Sequence, residues 1–342
     1  MVAMHFFQKQ NKLRGWIILV LLAVLPVTTL AGSPHNRQEK IPVHDPVMIR
    51  QDSMYYLFAT GRGISVWSSQ DMRNWSREEP VFATPPQWAL DQIPDYQGHT
   101  WAPDIFYHQG LYYLYYSVSS FGRNSSGIGV ATNRTLHPGD EDFRWVDHGK
   151  VIRSVPGRDL WNAIDPNVIL DEDGHPWMAF GSFWSGMKLF RLGGDLKTPA
   201  EPQEWHTIAA REREFGTDDR RAGDAAIEAP FLFRKGGYFY LFVSFDHCCR
   251  GLDSTYKVMV GRSEQIIGPY LDKDGNDMAF GGGSLVVAGN ENWAGVGHNA
   301  AYTFDGVDYL VFHGYDVNDN GRSKLIIREI EWDSDGWPVV TL

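Results

Sequence analysis

The chain has 342 residues, 43% of them hydrophobic and 14% aromatic, with a formal net charge of −11. That apolar content excludes a disordered chain, 35 glycines without a three-residue period exclude collagen, and two cysteines exclude a disulfide-dense scaffold. The acidic balance argues against a nucleic-acid backbone as partner.

Residues 1–31 read as an export leader. Lys9, Lys12 and Arg14 precede a 12-residue apolar run, WIILVLLAVLPV, and Thr29-Leu30-Ala31 has the small-x-small form that signal peptidases cut after. The run is short of the roughly 20 residues that span a bilayer, so an uncleaved anchor is the weaker alternative. Residues 32–342 then form the mature chain, at net −14 from 28 basic and 42 acidic residues. It is expected to be secreted, extracellular or periplasmic, free of the membrane after cleavage, and a monomer.

One pattern recurs five times along the mature chain: a small or acidic residue, usually a Pro, an apolar run, a turn, then an aromatic strand. It reads His44-Asp45-Pro46 then YYLFATG, Ala102-Pro103-Asp104 then LYYLYYSVS, and Asp165-Pro166-Asn167 then PWMAFGS. Glu228-Ala229-Pro230 then YFYLFVS, and His298-Asn299-Ala300 then DYLVFHG, complete the set. Aligned on the Pro, and on Ala300 in the fifth unit, the spacings are 57, 63, 64 and 70 residues. The runs are short, aromatic or β-branched, and bounded by Gly, Asp and Asn, which marks strands. Asp171–Gly174 and Lys235–Gly237 read as hairpin connections, and no long helical stripe follows residue 31. Five units of about four strands each predict an all-β, five-bladed β-propeller as one catalytic domain over 32–342. The stretch from about 199 to 226 reads as irregular and highly charged.

In a propeller the first strand of each blade lines the central axis. The repeat starts place Asp45, Asp104, Asp165, Glu228 and His298 around one ring, within a residue or so of register. Carboxyls converging on one cavity are costly unless used. Paired carboxylates in a sugar-sized cleft suggest glycoside hydrolysis: one gives its proton to the leaving oxygen, and another, ionised, activates water or attacks. A third charge nearby raises the proton affinity of the acid.

These strings also carry a family resemblance. VHDP (43–46), WAPDI (101–105), YYSVSSFGRNSSGIGVATN (115–133), NAIDPN (162–167), FGSFWSGMKL (180–189), IEAPF (227–231), CCRGLDSTYKVMVGRS (248–263) and GHN (297–299) resemble those of endo-1,5-α-L-arabinanases of glycoside hydrolase family 43, a family of five-bladed propellers. The likeness runs from about residue 41 to the end. It implies an endo-acting, inverting hydrolase of α-1,5-L-arabinofuranosidic bonds in arabinan and arabino-oligosaccharides. Asp45 would be the general base, Glu228 the general acid, and Asp165 the group that orients and tunes the acid. It further implies substrate contacts at Gly122, Asn162, Ala163, Ile164, Ser182, Phe183 and Trp184, with Trp101 and Phe121 as stacking faces. It places a calcium ion at the axis near His298, largely water-coordinated. From the residue alone, His298 is equally a core imidazole bonded to a carbonyl, since calcium prefers six to eight oxygens.

Two further patterns are weaker. Asp316 to Gly321 fits the first half of an EF-hand loop, but Ile327 stands where the bidentate Glu is required, so a hairpin turn is expected. Cys248-Cys249 is open between a vicinal bridge, a metal pair and two thiols. Rival functions are an exo-acting arabinofuranosidase or β-xylosidase on the same fold, a non-catalytic sugar-binding propeller, which would not need Asp45 and Glu228 together, and a protein-interaction propeller, which would show blade-to-blade identity and no acidic axis.

Overall fold

The aromatic runs of the five repeats become the second strands of five sheets. In the computed structural model, which describes residues 41–342, they are Met54–Ala59, Leu111–Val118, Pro176–Phe180, Tyr238–Phe245 and Val307–Asp316. Nearly every residue in these strands is buried, odd and even alike. A strand covered on both faces reads as a continuous apolar run instead of an alternating one, which is why these segments are aromatic throughout. The leader expected over 1–31 lies outside the described residues.

The sheets are antiparallel and meander outward. The innermost strands are Val47–Gln51, His99–His108, Asn167–Leu170, Ile227–Lys235 and Trp293–Phe304. Each packs against the next, and the fifth packs against the first, closing a five-membered ring. The fifth blade has three strands, and Leu325 N–H on its outer strand donates to the Ile41 carbonyl at 3.0 Å, tying the segment before the first blade to the last blade. The apolar core lies in layers between neighbouring blades: Trp177 and Leu241 belong to one layer, Tyr115 and Phe180 to another, Leu57 and Val311 to a third.

The expected hairpins at 171–174 and 235–237 form, and the 316–321 segment is the turn between Val307–Asp316 and Arg322–Glu329. Two expectations need correction. A six-residue helix, Gln87–Gln92, was not anticipated. The stretch read as irregular carries a strand, Trp205–Ala209, because its apolar Trp, Ile and Ala are too few to stand out among the charges around them.

Each inner strand is entered through the same kink. Asp45, Ala102, Asp165, Ala229 and His298 all have left-handed backbones, with φ of 54, 39, 57, 56 and 51°. Such φ values are rare for residues with a Cβ. The strand pairing skips a register step at this point in blades two, four and five, the mark of a bulge that re-aims side chains. The true spacings are therefore 57, 63, 64 and 69, and the fifth repeat aligns on Asn299, not Ala300.

A hydrogen bond to the preceding blade fixes each kink. Thr60, Ser117, Ser244 and His313 stand at one equivalent position at the end of the second strand. Their side chains accept the N–H of Ala102 (2.8 Å), Asp165 (3.0 Å), His298 (2.8 Å) and Asp45 (3.1 Å). The equivalent residue of the third blade is Gly181, which has no side chain to offer. There Asp165 Oδ2 itself takes the Ala229 N–H, at 3.2 Å.

Candidate active site

The kinks deliver Asp45, Asp165 and His298 to the axis in strict register. Glu228 comes from one residue earlier, next to Ala229. All four are buried, with 6–9% exposure. Asp104 does not join them. It lies two residues past its kink, between blades, where Oδ2 accepts the Val168 N–H at 2.7 Å. The Pro alignment itself separates it: Asp104 follows its Pro as Asn167 does, whereas Asp45 and Asp165 precede theirs.

Asp45 is built to stay ionised. Oδ2 accepts from Thr60 Oγ1 at 2.5 Å, and Oδ1 lies 2.7 Å from His44 Nδ1 and 3.0 Å from His298 Nδ1. Burial alone would raise its pKa, but the His298 and His44 imidazoles outweigh burial and hold it well below the usual carboxylate range. His313 supports this from behind. Its Nδ1 accepts the backbone N–H of Asp45, which puts its proton on Nε2, 3.2 Å from the Tyr315 hydroxyl. The same hydroxyl lies 2.9 Å from His44 Nε2. Burial, with the His44 charge next, keeps His313 well below the ordinary imidazole value and therefore neutral.

Glu228 is held at both oxygens. Ser182 Oγ donates to Oε2 and the Tyr256 hydroxyl to Oε1, each at 2.8 Å. Tyr256 reaches it across Gly297, where a Cβ would stand 2.3 Å from the tyrosine ring. Asp165 faces the opposite situation to Asp45. Burial pushes its pKa well above the carboxylate range; His298 opposes this, while the charges of Glu228 and Asp45 add to it. For His298, burial would lower the value, but Asp45, Asp165 and Glu228 push it up to about 9. The axis thus holds one carboxylate stripped of its proton and another that keeps one.

The expected contact residues fall into two groups. Phe121 is 79% exposed, with Gly122 beside it in a turn at positive φ, and Trp101 is half-buried with its indole N–H on His99 Nδ1 at 2.9 Å. Phe183 is half-buried, its ring centroid 6.1 Å from that of His247. Asn162, Ala163, Ile164 and Trp184 are buried and brace the wall. Asn162 Oδ1 accepts from Ser126 Oγ, Ala163 N–H donates to Ser154, Ile164 N–H donates to the Asn162 carbonyl, and Trp184 Nε1 donates to the Asp219 carbonyl. His44, Thr60, Tyr256, His313 and Tyr315 were missed from sequence. Thr60 and His313 were legible in the repeat register, as the equivalents of Ser117 and Ser244. Cys248 and Cys249 form a vicinal disulfide, and Cys249 N–H donates to the Tyr315 hydroxyl at 2.7 Å.

For a metal, His44, Asp45 and His313 bring donor atoms within 4.8 Å of one another. This set is nitrogen-rich, and the His313 Nδ1 lone pair is already committed to Asp45 N–H, so it suits calcium poorly. His298 Nε2 takes no hydrogen bond from the described residues; it could serve a water-rich ion only after giving up the proton that Asp45, Asp165 and Glu228 favour.

Comparison with known proteins agrees with this geometry. The model of glycosyl hydrolases family 43 matches residues 40–338. The extracellular exo-α-(1→5)-L-arabinofuranosidase of Cellvibrio japonicus is 54% identical over 98% of this chain and 95% of its own length. The extracellular endo-α-(1→5)-L-arabinanase 1 of Bacillus subtilis is 46% identical over 86% of this chain and 87% of its own. The solved structure of Cellvibrio cellulosa α-L-arabinanase complexed with arabinohexaose superposes with a TM-score of 0.87 at 57% identity, covering 89% of this chain and 96% of that one. With a closed ring of five blades, axial carboxyls and a match spanning nearly all the described residues, the chain belongs to glycosyl hydrolase family 43.

Proposed function

We propose that this enzyme hydrolyses α-1,5-linked L-arabinofuranosyl bonds in arabinan, with inversion. Glu228 gives its proton to the leaving oxygen as the C1–O bond breaks. Asp45 takes a proton from the water that attacks C1 from the opposite face. Asp165 orients and tunes the acid. The observation that carries this reading is the convergence of Asp45, Asp165 and Glu228 on the buried axis, with Asp45 held ionised by His298 and His44 as a base requires. The names of the two Cellvibrio proteins and the Bacillus enzyme support the substrate. The test is debranched arabinan with the product followed by NMR: first-formed sugar of inverted configuration supports the reading, and a retained product would overturn it.

Endo attack is the mode read from the sequence. One observation favours an exo mode instead, the higher identity to the exo-acting enzyme, 54% against 46% for the endo-acting one. Viscosity of linear arabinan falling ahead of reducing ends marks endo attack; one oligosaccharide released from the start marks exo. Secretion rests on the leader and on the extracellular location named for both relatives, and an exported protein beginning at Gly32 would establish it. An axial calcium on His298 Nε2 and water is testable by metal analysis of wild type against His298→Gln. Where bound, it would add positive charge beside the axial carboxylates.

A further inference from the structure

A second cleft of about 790 Å3 lies between the third and fourth blades, lined among others by Trp184, Lys188, Arg211, Arg213, Asp277 and Phe280. Arg211 is paired with Asp246 at 2.8 Å, and Arg213 with Asp219 at 3.3 Å. Asp277 uses Oδ1 to accept the Ala279 N–H. Lys188 has no such partner. Its Nζ donates to the Ser185 carbonyl and to Thr207 Oγ1, each at 2.8 Å, and no carboxylate among the described residues pairs with it. An ammonium has three donors, so one remains. Burial lowers the pKa of Lys188 to about 8, so it still carries charge at neutral pH. A part-buried cation without a counter-charge is costly, and on a chain of net charge −11 it is conspicuous. At the edge of the same cleft, Phe280 is 89% exposed and leaves an aromatic face uncovered.

We propose that this cleft binds a sugar that carries a carboxylate, a uronosyl unit, with Lys188 meeting the carboxylate and Phe280 covering a face of the ring. Charge complementarity selects an anion, and the open aromatic face selects a ring over a bare ion. Arabinan itself is neutral, so this is a second specificity, separate from the catalytic axis. It would let the enzyme hold an acidic glycan while cleaving neutral chains. It does not depend on the substrate assigned to the axis.

The test is calorimetric titration of the full chain with trigalacturonate, at low and high salt. Arabinotriose is the neutral control, measured in Glu228→Gln to prevent turnover. Wild type is expected to bind trigalacturonate more weakly as salt rises. Lys188→Met is expected to weaken binding by roughly 10-fold or more, the loss of a charge-assisted hydrogen bond. Phe280→Ala is expected to weaken it by roughly fivefold, and it keeps the test open if Lys188→Met fails to fold. Hydrolysis of linear arabinan should be unchanged in both. No binding of trigalacturonate, or binding that neither variant weakens, would overturn the proposal. So would arabinotriose binding that falls equally in Lys188→Met, which would make the cleft a neutral subsite.

Discussion

Asp104 offers the cleanest test of the electrostatic reasoning, because it stands outside the active site. It is 2% exposed between the second and third blades, and burial pushes its pKa up to about 7. In the unfolded chain an aspartate titrates at about 3.9. Between those values the folded protein keeps a proton that the unfolded chain has released. Its contribution is therefore fully present below about pH 4, is lost as pH rises toward 7, and stays lost above. A displacement of about three units at 1.36 kcal/mol each sets a ceiling of about 4 kcal/mol. At about 2.1 cal/mol/K per residue, a fold of roughly 300 residues would lose about 6 °C in Tm.

The neighbouring repeat shows which residue to substitute. Asn167 occupies the equivalent position one blade on, and its Oδ1 accepts the Leu232 N–H at 2.8 Å, as Asp104 accepts that of Val168. Asp104→Asn should preserve the link and remove the titration. Melts of wild type and variant, at matched scan rate across about pH 4 to 8.5, should differ little in acid and increasingly at alkaline pH, with the variant gaining up to about 6 °C. Other groups titrate alike in both proteins, so only the difference is read. A Tm difference that stays flat across this range would refute the reasoning. Arabinan hydrolysis at fixed pH should not change.

The remaining predictions concern the axis. Asp45→Asn and Glu228→Gln should each cut turnover by about 10²–10⁴-fold or more while the melting profile stays near wild type; near-normal turnover in either would remove its assignment. Tyr256→Phe deletes one of two donors to Glu228 and should lower kcat by roughly 10-fold with little change in KM, whereas a KM effect alone would make Tyr256 a substrate contact. Gly297→Ala forces a Cβ into the Tyr256 ring and should reproduce the Tyr256→Phe loss together with a lower Tm. Asp165→Asn removes a second proton-holding carboxyl beside Glu228, so the pH–rate profile should lose one coupled ionisation and turnover should fall, with aryl glycosides of good leaving groups least affected; an unchanged profile shape would leave Asp165 a positioning role only.

Much of this architecture was legible because the chemistry of a blade is repetitive. A second strand buried on both faces has to be apolar at every position, so YYLFA, LYYLYYSV and YFYLFVSF announce themselves. The axial set was legible through the same repeat, and the reading failed only at Asp104, which follows its Pro where Asp45 and Asp165 precede theirs. Asp104 sits next to a Pro as Asp45 and Asp165 do, yet two residues past the kink it turns away from the axis into the gap between blades. Tyr256 and Tyr315 were invisible for a different reason. They reach the site through the space left by Gly297 and along the outer course of the second strand of the fifth blade, and neither route leaves a local pattern. The Lys188 cleft was hidden too, since a lysine in a strand is ordinary until its partners are known.

The deviation of the third blade links fold to function most directly. In four blades a side chain at the end of the second strand receives the next kink's N–H, a scaffold bond with no chemistry in it. Gly181 vacates that position in the third blade, and the Asp165 carboxylate takes over the Ala229 N–H. The Asp165 backbone N–H is meanwhile held by Ser117. Both ends of the residue are thereby fixed by bonds that the ring itself requires, and Ala229 follows directly after Glu228. The fold orients the Asp165 carboxyl and the residue beside Glu228 with one hydrogen bond. Asp165→Ala should therefore act twice: it removes the carboxyl facing Glu228, and it leaves a buried N–H unpaired at a cost of about 1–3 kcal/mol. Asp165→Asn keeps the acceptor and loses only the titrating group. A thermal melt that separates Ala from Asn, with activity lost in both, is the outcome this dual role requires. Equal melting temperatures would mean that the Ala229 N–H finds another acceptor and that the scaffold does not depend on Asp165.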